Sequence, residues 1–389
     1  MKDKIYLDDY ILTYEKACKY LINLTDKNYH NNRRFLVNTI GTTNFSFPIN
    51  SYEIGSGKNH VVIVGTTHGC ELLTTYFVIE TMIELLMNEE VFEYFTKEYT
   101  LHFIPILNPE GFIISSSNVY KNIYRLNWSK IQNLSTIYLN KYNIDDENAK
   151  NGIIKEKCYK KVLKSSLENI IYQDLRYSVK QILKDCNLTE CVLPIWSANG
   201  VGIDPNANSI HKFNEISELR RKQKYHKLRY NDIPTYKPSP IGFPGFDPLT
   251  LKCPETYYFN EFIQKLYSKN IKSKKERLIA IFSYHTTGGE IYSFPNKEIT
   301  SQNNLNIHNE AIHEYEKYTN YIPKDESIKY GFMDYYRSTL ENVVSMTIEL
   351  SRKNANPIGP FSNLCEILEE VKQNKNALFN TINFINKIV

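Results

Sequence analysis

An α/β sandwich with a mixed sheet is the fold class this sequence predicts, on three observations. Apolar runs of strand length alternate with longer stretches of helical periodicity. Chemistry-bearing residues stand at the ends of such runs: His68 after Val61-Val-Ile-Val64, Asn108 after Leu101–Ile106, and His285 after Leu278-Ile-Ala-Ile-Phe282. In open α/β sheets, functional residues gather at the carboxyl ends of strands. Finally, 42% apolar residues in a chain of 389 suffice for one sizeable core, and α/β enzymes of this length often remain one domain with insertions.

The elements follow in order. Tyr6, Leu7, Tyr10, Ile11, Tyr14, Ala17, Cys18 and Leu21 fall on one face at helical spacing, which predicts a docking helix over 6–24 within an N-terminal segment, 1–35. The main domain is expected over 36–389. Strands are predicted at 35–40, 49–54, 61–65 and 101–106, with a helix over 72–87 between the last two. Residues 155–184, rich in Lys and Tyr, repeat at helical period. The charged run Glu218-Leu-Arg-Arg-Lys-Gln-Lys224 reads as a solvated helix face. It passes into Pro238-Ser-Pro-Ile-Gly-Phe-Pro-Gly245, an expected ordered loop, before a helix that starts near Pro254-Glu255.

Composition excludes several function classes. The 47 basic and 43 acidic residues nearly cancel to +4, and the lysines are scattered, so nucleic acid is not an expected partner. Seven cysteines without Cys-x-x-Cys spacing read as reduced thiols. The first ten residues carry charges where a secretory signal needs an apolar core, and no apolar run reaches the roughly 18 residues of a membrane span. A cytoplasmic protein without a membrane partner is therefore expected. Oligomeric state is not legible.

Three distant segments together supply one metal site: His68-Gly-Cys-Glu71, Ser283-Tyr-His285-Thr and Thr347-Ile-Glu349-Leu. Two imidazoles and a carboxylate are the ligand set of a catalytic zinc that keeps a further position open for water. Glu349 is then the candidate base acting on that water. His68 with Glu71, taken alone, also fits an ordinary helix start, and the remaining histidines read as surface or hydrogen-bonded residues. His211, near the Asn206 segment, is the reserve ligand candidate.

These segments resemble the zinc metallocarboxypeptidases, in which a His-x-x-Glu pair and a distant His hold zinc and a Glu in a Thr-Ile-Glu-Leu-like strand is general base and acid. Other landmarks follow in the same order: Asn108-Pro-Glu-Gly111, Tyr124-Arg125 and Gly202-Ile-Asp-Pro-Asn206-Ala-Asn208. Within the family the chain is most similar to the bacterial branch that cleaves gamma-D-glutamyl-diaminopimelate bonds of peptidoglycan peptides. Trp196-Ser-Ala-Asn199, His285-Thr-Thr-Gly-Gly-Glu290-Ile-Tyr292, Gly331-Phe-Met-Asp334-Tyr-Tyr336 and Asn356-Pro357 carry that likeness.

The resemblance implies a mixed eight-stranded sheet sandwiched by helices and one Zn2+ per chain, held by His68, Glu71 and His285. It implies that Glu349 acts as base and that Arg125 stabilises the oxyanion. Asn206 and Tyr330 are implied substrate contacts, with Tyr321 and Tyr335 competing for the tyrosine role. The segment between Arg125 and Asn206 is far longer than in the family, so an inserted helical cap or lid is expected over 129–194.

One position departs from the pattern. Where typical carboxypeptidases carry an arginine that clamps the substrate's terminal carboxylate, this chain has Ala207, whose methyl group makes no charge-assisted contact. Peptidoglycan-directed relatives tend to lose that arginine too. Arg337 and Arg352 are candidate replacements, with an ordinary surface position as the plainer reading of each. Asp334 either lines the specificity pocket or caps a turn.

The expected function is zinc-dependent hydrolysis of an amide bond in a short peptide, in particular a peptidoglycan stem peptide. Two other classes stay open: a deacylase or tailoring peptidase acting on a small metabolite, and a non-catalytic zinc or peptide binder. Retention of Glu349 speaks against the binder, which has no use for a base.

Overall fold

The computed structural model describes residues 13–30, 35–123, 165–210, 212–223, 225–226, 230–272, 276–286, 288–295, 297, 299–324, 331–350 and 364–389. Strands β1 (Phe35–Thr42), β2 (Pro48–Gly55), β3 (Asn59–Val64) and β4 (Tyr99–Ile104) are followed by a short hairpin of β5 (Tyr225–His226) and β6 (Tyr230–Pro234). Then come β7 (Arg277–Thr286), β8 (Glu290–Tyr292), β9 (Ile322–Pro323) and β10 (Val344–Leu350). All but the hairpin form one eight-stranded sheet in the order β1-β2-β4-β3-β7-β10-β8-β9. The central strands β4, β3, β7 and β10 run parallel, and the flanks pair antiparallel at β1–β2, β2–β4 and β10–β8. The sheet is mixed, as expected.

Burial explains the central strands. Every residue of β3 and β4 is buried, as is β7 beyond Arg277. Near-continuous apolar runs of this kind belong to parallel strands covered on both faces. Against one face pack α1 (Tyr14–His30), α2 (Leu72–Met87), α8 (Gln302–Thr319) and α10 (Leu364–Ile388), which meet Val61, Ile63, Phe103, Phe282, Tyr284 and Met346. The other face receives α7 (Pro254–Lys272) and the short α9 (Met333–Thr339), where Phe259, Ile263, Met333 and Tyr336 cover Val62, Val64, Ile104 and Ile281. The helix α2 is apolar nearly all round because it is buried nearly all round.

The helices α3 (Glu89–Glu98) and α4 (Pro109–Ile123) flank β4 in sequence. The predicted 72–87 helix and the start of the Pro254 helix fall where expected. The N-terminal helix is described over Tyr14–His30, running past the expected end at 24 and burying Ala17, Leu21 and Leu24; residues 6–12 of that expectation lie outside the described residues. Of the segment 129–194, residues 165–194 are described. They contain α5 (Gln173–Asp185), whose Leu175, Val179, Ile182 and Leu183 join the main core. No described helix is long and apolar enough to cross a membrane.

Candidate metal centre

Because β3, β4, β7 and β10 run parallel, their carboxyl ends share one edge of the sheet, and the candidate residues meet there. His68 and Glu71 lie in the turn from β3 to α2, His285 is the penultimate residue of β7, and Glu349 that of β10. The turn comes so close to its neighbour that a Cβ at Gly69 would sit 2.2 Å from the Gly111 carbonyl carbon. Only glycine permits that approach, which accounts for the glycines of both His-Gly-Cys-Glu and Asn-Pro-Glu-Gly. Asn108 ties the loops together: its Nδ2 donates to the carbonyls of Thr67 (3.2 Å), Ser197 (3.3 Å) and Ala198 (3.1 Å), and its Oδ1 accepts from Gly111 N–H at 2.9 Å.

Three side chains converge. His68 Nδ1 is 2.9 Å from Glu71 Oε1, His285 Nδ1 is 3.0 Å from Glu71 Oε2, and the two Nδ1 atoms are 3.3 Å apart. Among the described residues this is the one trio whose ligand atoms all lie within 4.8 Å of one another. The donor set fits zinc. Two nitrogens each about 2.0–2.1 Å from a shared tetrahedral ion stand about 3.3 Å apart. Glu71 Oε2 is buried and its one close polar neighbour is His285 Nδ1, and a buried carboxylate oxygen set against an imidazole nitrogen in this way fits a shared cation.

Asp204 supports the trio from behind. Its Oδ1 lies 3.3 Å from His68 Nε2, on the side of the ring away from Glu71, while Oδ2 accepts from Arg220 Nη2 at 3.2 Å. A carboxylate on the far nitrogen fixes the tautomer and orientation of a metal-binding imidazole. Burial opposes charge on His68, yet Glu71 and Asp204 outweigh it and hold the imidazole pKa well above the ordinary value. Burial also opposes ionisation of Glu71, but His68 and His285 overcome it and hold the carboxyl well below the usual range. Neither Asp204 nor Arg220 was singled out from the sequence. The signal available for Asp204 was its place two residues before Asn206. Arg220 was taken as part of a solvated face of α6 (Phe213–Gln223); Glu218, Arg221 and Lys222 do lie exposed, while Arg220 turns inward.

Glu349 is half-buried and stands in register beside His285. A Cβ at Gly288 would come within 3.1 Å of Glu349 Cβ, so the glycine leaves room around the carboxylate's base. Asn206 is half-exposed; its carbonyl accepts from Phe332 N–H at 2.9 Å, and its N–H donates to Asp204 Oδ1 at 2.9 Å. Ala207 is buried, its N–H also on Asp204 Oδ1.

Asp334 caps a turn by accepting from Gly331 N–H at 3.0 Å and pairs with Arg337 at 2.9 Å. Arg337 is not a surface arginine: it is 5% exposed and donates to Thr347 Oγ1 at 2.9 Å. Asp334 supplies the opposite charge that makes this burial tolerable. Tyr321 is 1% exposed with its hydroxyl bonded to Asn374, which takes it away from the cleft. Tyr335 stacks edge-on against Tyr336. His102 pairs with His60 at 2.8 Å, away from the trio. Arg125, Tyr330, Arg352 and His211 lie outside the described residues.

Residues 24–377 match the profile of the zinc carboxypeptidase family. The chain belongs to the zinc carboxypeptidase family. Similar solved structures include bovine thrombin-activatable fibrinolysis inhibitor in complex with tick carboxypeptidase inhibitor, at 15% identity over 99% of this chain and 100% of that one, with a TM-score of 0.57. Carboxypeptidase A from Helicoverpa armigera is 13% identical over 96% and 73%, with a TM-score of 0.52. A metallo-carboxypeptidase from Burkholderia cenocepacia is 10% identical over 95% and 69%, with a TM-score of 0.50. At these identities the likeness is one of fold. No curated protein matches the chain. As a zinc carboxypeptidase family member it is a zinc metallopeptidase, and His68, Glu71 and His285 form the group that can hold the family's one zinc.

Proposed function

We propose that the enzyme hydrolyses an amide bond in a short peptide with an atypical linkage, in particular a peptidoglycan stem peptide of the gamma-D-glutamyl-diaminopimelate type. The observation that carries this reading is Ala207, buried where an ordinary carboxypeptidase has its carboxylate-clamping arginine. The stretches Trp196–Asn199 and His285–Tyr292 support the same branch.

When bound, zinc supplies a Lewis acid that polarises the scissile carbonyl and acidifies water. The chain's own groups do the rest. Glu349 takes a proton from the attacking water and returns it to the departing amine. Asp204 keeps the His68 ring turned with Nδ1 toward Glu71 and His285. Asn206 offers a half-exposed carboxamide to hold a substrate carbonyl or carboxylate. Arg125 is assigned the fixed positive charge on the developing oxyanion. The proposed location is the cytoplasm, a reading that rests on seven cysteines without Cys-x-x-Cys spacing.

The test is incubation of the zinc-loaded enzyme with peptidoglycan stem peptides and with ordinary peptides, read by mass spectrometry. Cleavage between D-glutamate and diaminopimelate is expected to be the preferred reaction. A preference for ordinary C-terminal residues replaces the reading with a general carboxypeptidase. Cleavage of neither class leaves the small-metabolite amidohydrolase as the better account, one that the missing clamp also favours.

A further inference from the structure

One hydroxyl bridges the two ends of the loop that carries two of the three ligands. Thr74 lies in the first turn of α2, fully buried, and its Oγ1 accepts from the backbone N–H of Thr66 at 2.7 Å while donating to the carbonyl of Glu71 at 2.7 Å. It also meets Thr66 Oγ1 at 3.1 Å. A hydroxyl has one donor and two lone pairs, and here the donor and one lone pair make the bridge. The two backbone groups so bridged are the ends of the segment 66–71, in which His68 and Glu71 sit.

That segment starts from a costly conformation. Thr66 has φ +45°, the left-handed region that a β-branched residue rarely adopts. The surroundings impose it: Thr66 Oγ1 bonds Thr75 Oγ1, the Thr66 carbonyl accepts from Asn108 N–H at 3.0 Å, and Thr75 Oγ1 reaches the Pro105 carbonyl at 3.1 Å. The reversal at Thr66 turns the chain sharply out of β3, so that His68 faces His285 on β7, distant in sequence but on the strand adjacent to β3 in the sheet.

We propose that Thr74 is a positioning residue for the metal site: its hydroxyl clasps the 66–71 loop and holds Thr66 in its left-handed turn, so that His68 and Glu71 converge before any ion arrives. The inference rests on the zinc reading of the trio. Thr74→Val keeps the shape and removes the clasp; Thr74→Ser keeps the hydroxyl.

The experiment measures zinc affinity of the full chain by competition with a chelator, alongside hydrogen exchange of the Thr66 amide in the metal-free protein. Thr74→Val is expected to bind zinc about 10-fold or more weakly, the scale of losing an outer partner of a ligand, with faster exchange at Thr66. Thr74→Ser is expected to restore affinity to within about 3-fold of wild type. Equal zinc affinity in wild type and a folded Thr74→Val overturns the clasp. Should Thr74→Val fail to fold, Thr74→Ala tests the same point by removing the hydroxyl without adding bulk: weaker zinc binding supports the inference and unchanged binding overturns it. A wild-type chain that takes up no zinc overturns the zinc reading and this inference with it, which distinguishes that failure from failure of the clasp alone.

Discussion

Glu349 and His285 are register partners on the neighbouring parallel strands β10 and β7. Residues paired in this way present their side chains to the same face of the sheet. The pairing fixes the proposed base beside a metal ligand by main-chain hydrogen bonds alone, with no loop intervening. A strand-borne constellation of this kind is held more precisely than one on loops.

The first prediction concerns the metal. His285→Ala removes the most deeply buried nitrogen donor, 1% exposed, and leaves Glu71 facing a gap. Metal analysis is expected to show zinc falling from one per chain to a small fraction. Full retention of tightly bound zinc by the variant rules out His285 as a ligand.

Replacing the base separates chemistry from binding. Glu349→Gln preserves size and the strand pairing, so zinc content and substrate binding should persist while turnover drops by roughly 100-fold or more. Single-turnover kinetics on a cleavable peptide decide the matter; unchanged turnover means that another group activates the water.

Asp204 is expected to act through His68. Asp204→Asn keeps an acceptor of the same shape but removes the charge that faces both His68 and Arg220. Zinc affinity should fall by about 10-fold, at the lower end for losing a ligand's outer partner. Chelator competition reads the change directly, and an affinity equal to that of wild type removes Asp204 from the support of the site.

Stability should fall in acid partly through His308. Its Nδ1 donates to the Asn304 carbonyl at 2.8 Å and its Nε2 accepts from Ser345 N–H at 3.1 Å, so the ring is held neutral. Burial pushes its pKa down to about 3, and Arg337 adds to the effect. An unfolded histidine titrates near 6.5. The native state therefore binds fewer protons between those values, and the stability present above pH ~6.5 is lost as pH falls toward 3, by up to about 1.4 kcal/mol per unit. Denaturant unfolding at pH 7, 6, 5 and 4 should show a shallower acid slope for His308→Asn than for wild type; identical slopes would falsify the assignment.

Much of the site was legible from residue order. His68, Glu71, His285 and Glu349 could be named because ligand chemistry limits the residue types to a few, because His68 and His285 follow apolar runs that read as strands, and because the order of the segments resembles one family. The helix over Leu72–Met87 was equally plain, since a long apolar stretch without breakers has one stable form at that length.

Side-chain direction was not legible. Arg220 lies in a charged run that reads as solvated throughout, yet the twist of α6 turns this one guanidinium onto Asp204. Arg337 reads as an ordinary arginine, and only the packing of α9 on the sheet buries it against Asp334 and Thr347. The N-terminal helix runs on to His30, past the end its spacing suggested, because periodicity marks a face and not an end.

The sequence by itself pointed to the chemistry proposed for this protein: an α/β sheet, a zinc-type ligand trio, Glu349 as the candidate base and Ala207 where the family resemblance leads one to expect an arginine. Those are matters of residue type, local period and the order of the segments along the chain, taken together. The tertiary structure decided which residues stand behind them. Asn108 joining three loops, Asp204 behind His68 and Thr74 closing the ligand loop depend on contacts between distant segments, and those exist only once the parallel strands bring their carboxyl ends to one edge.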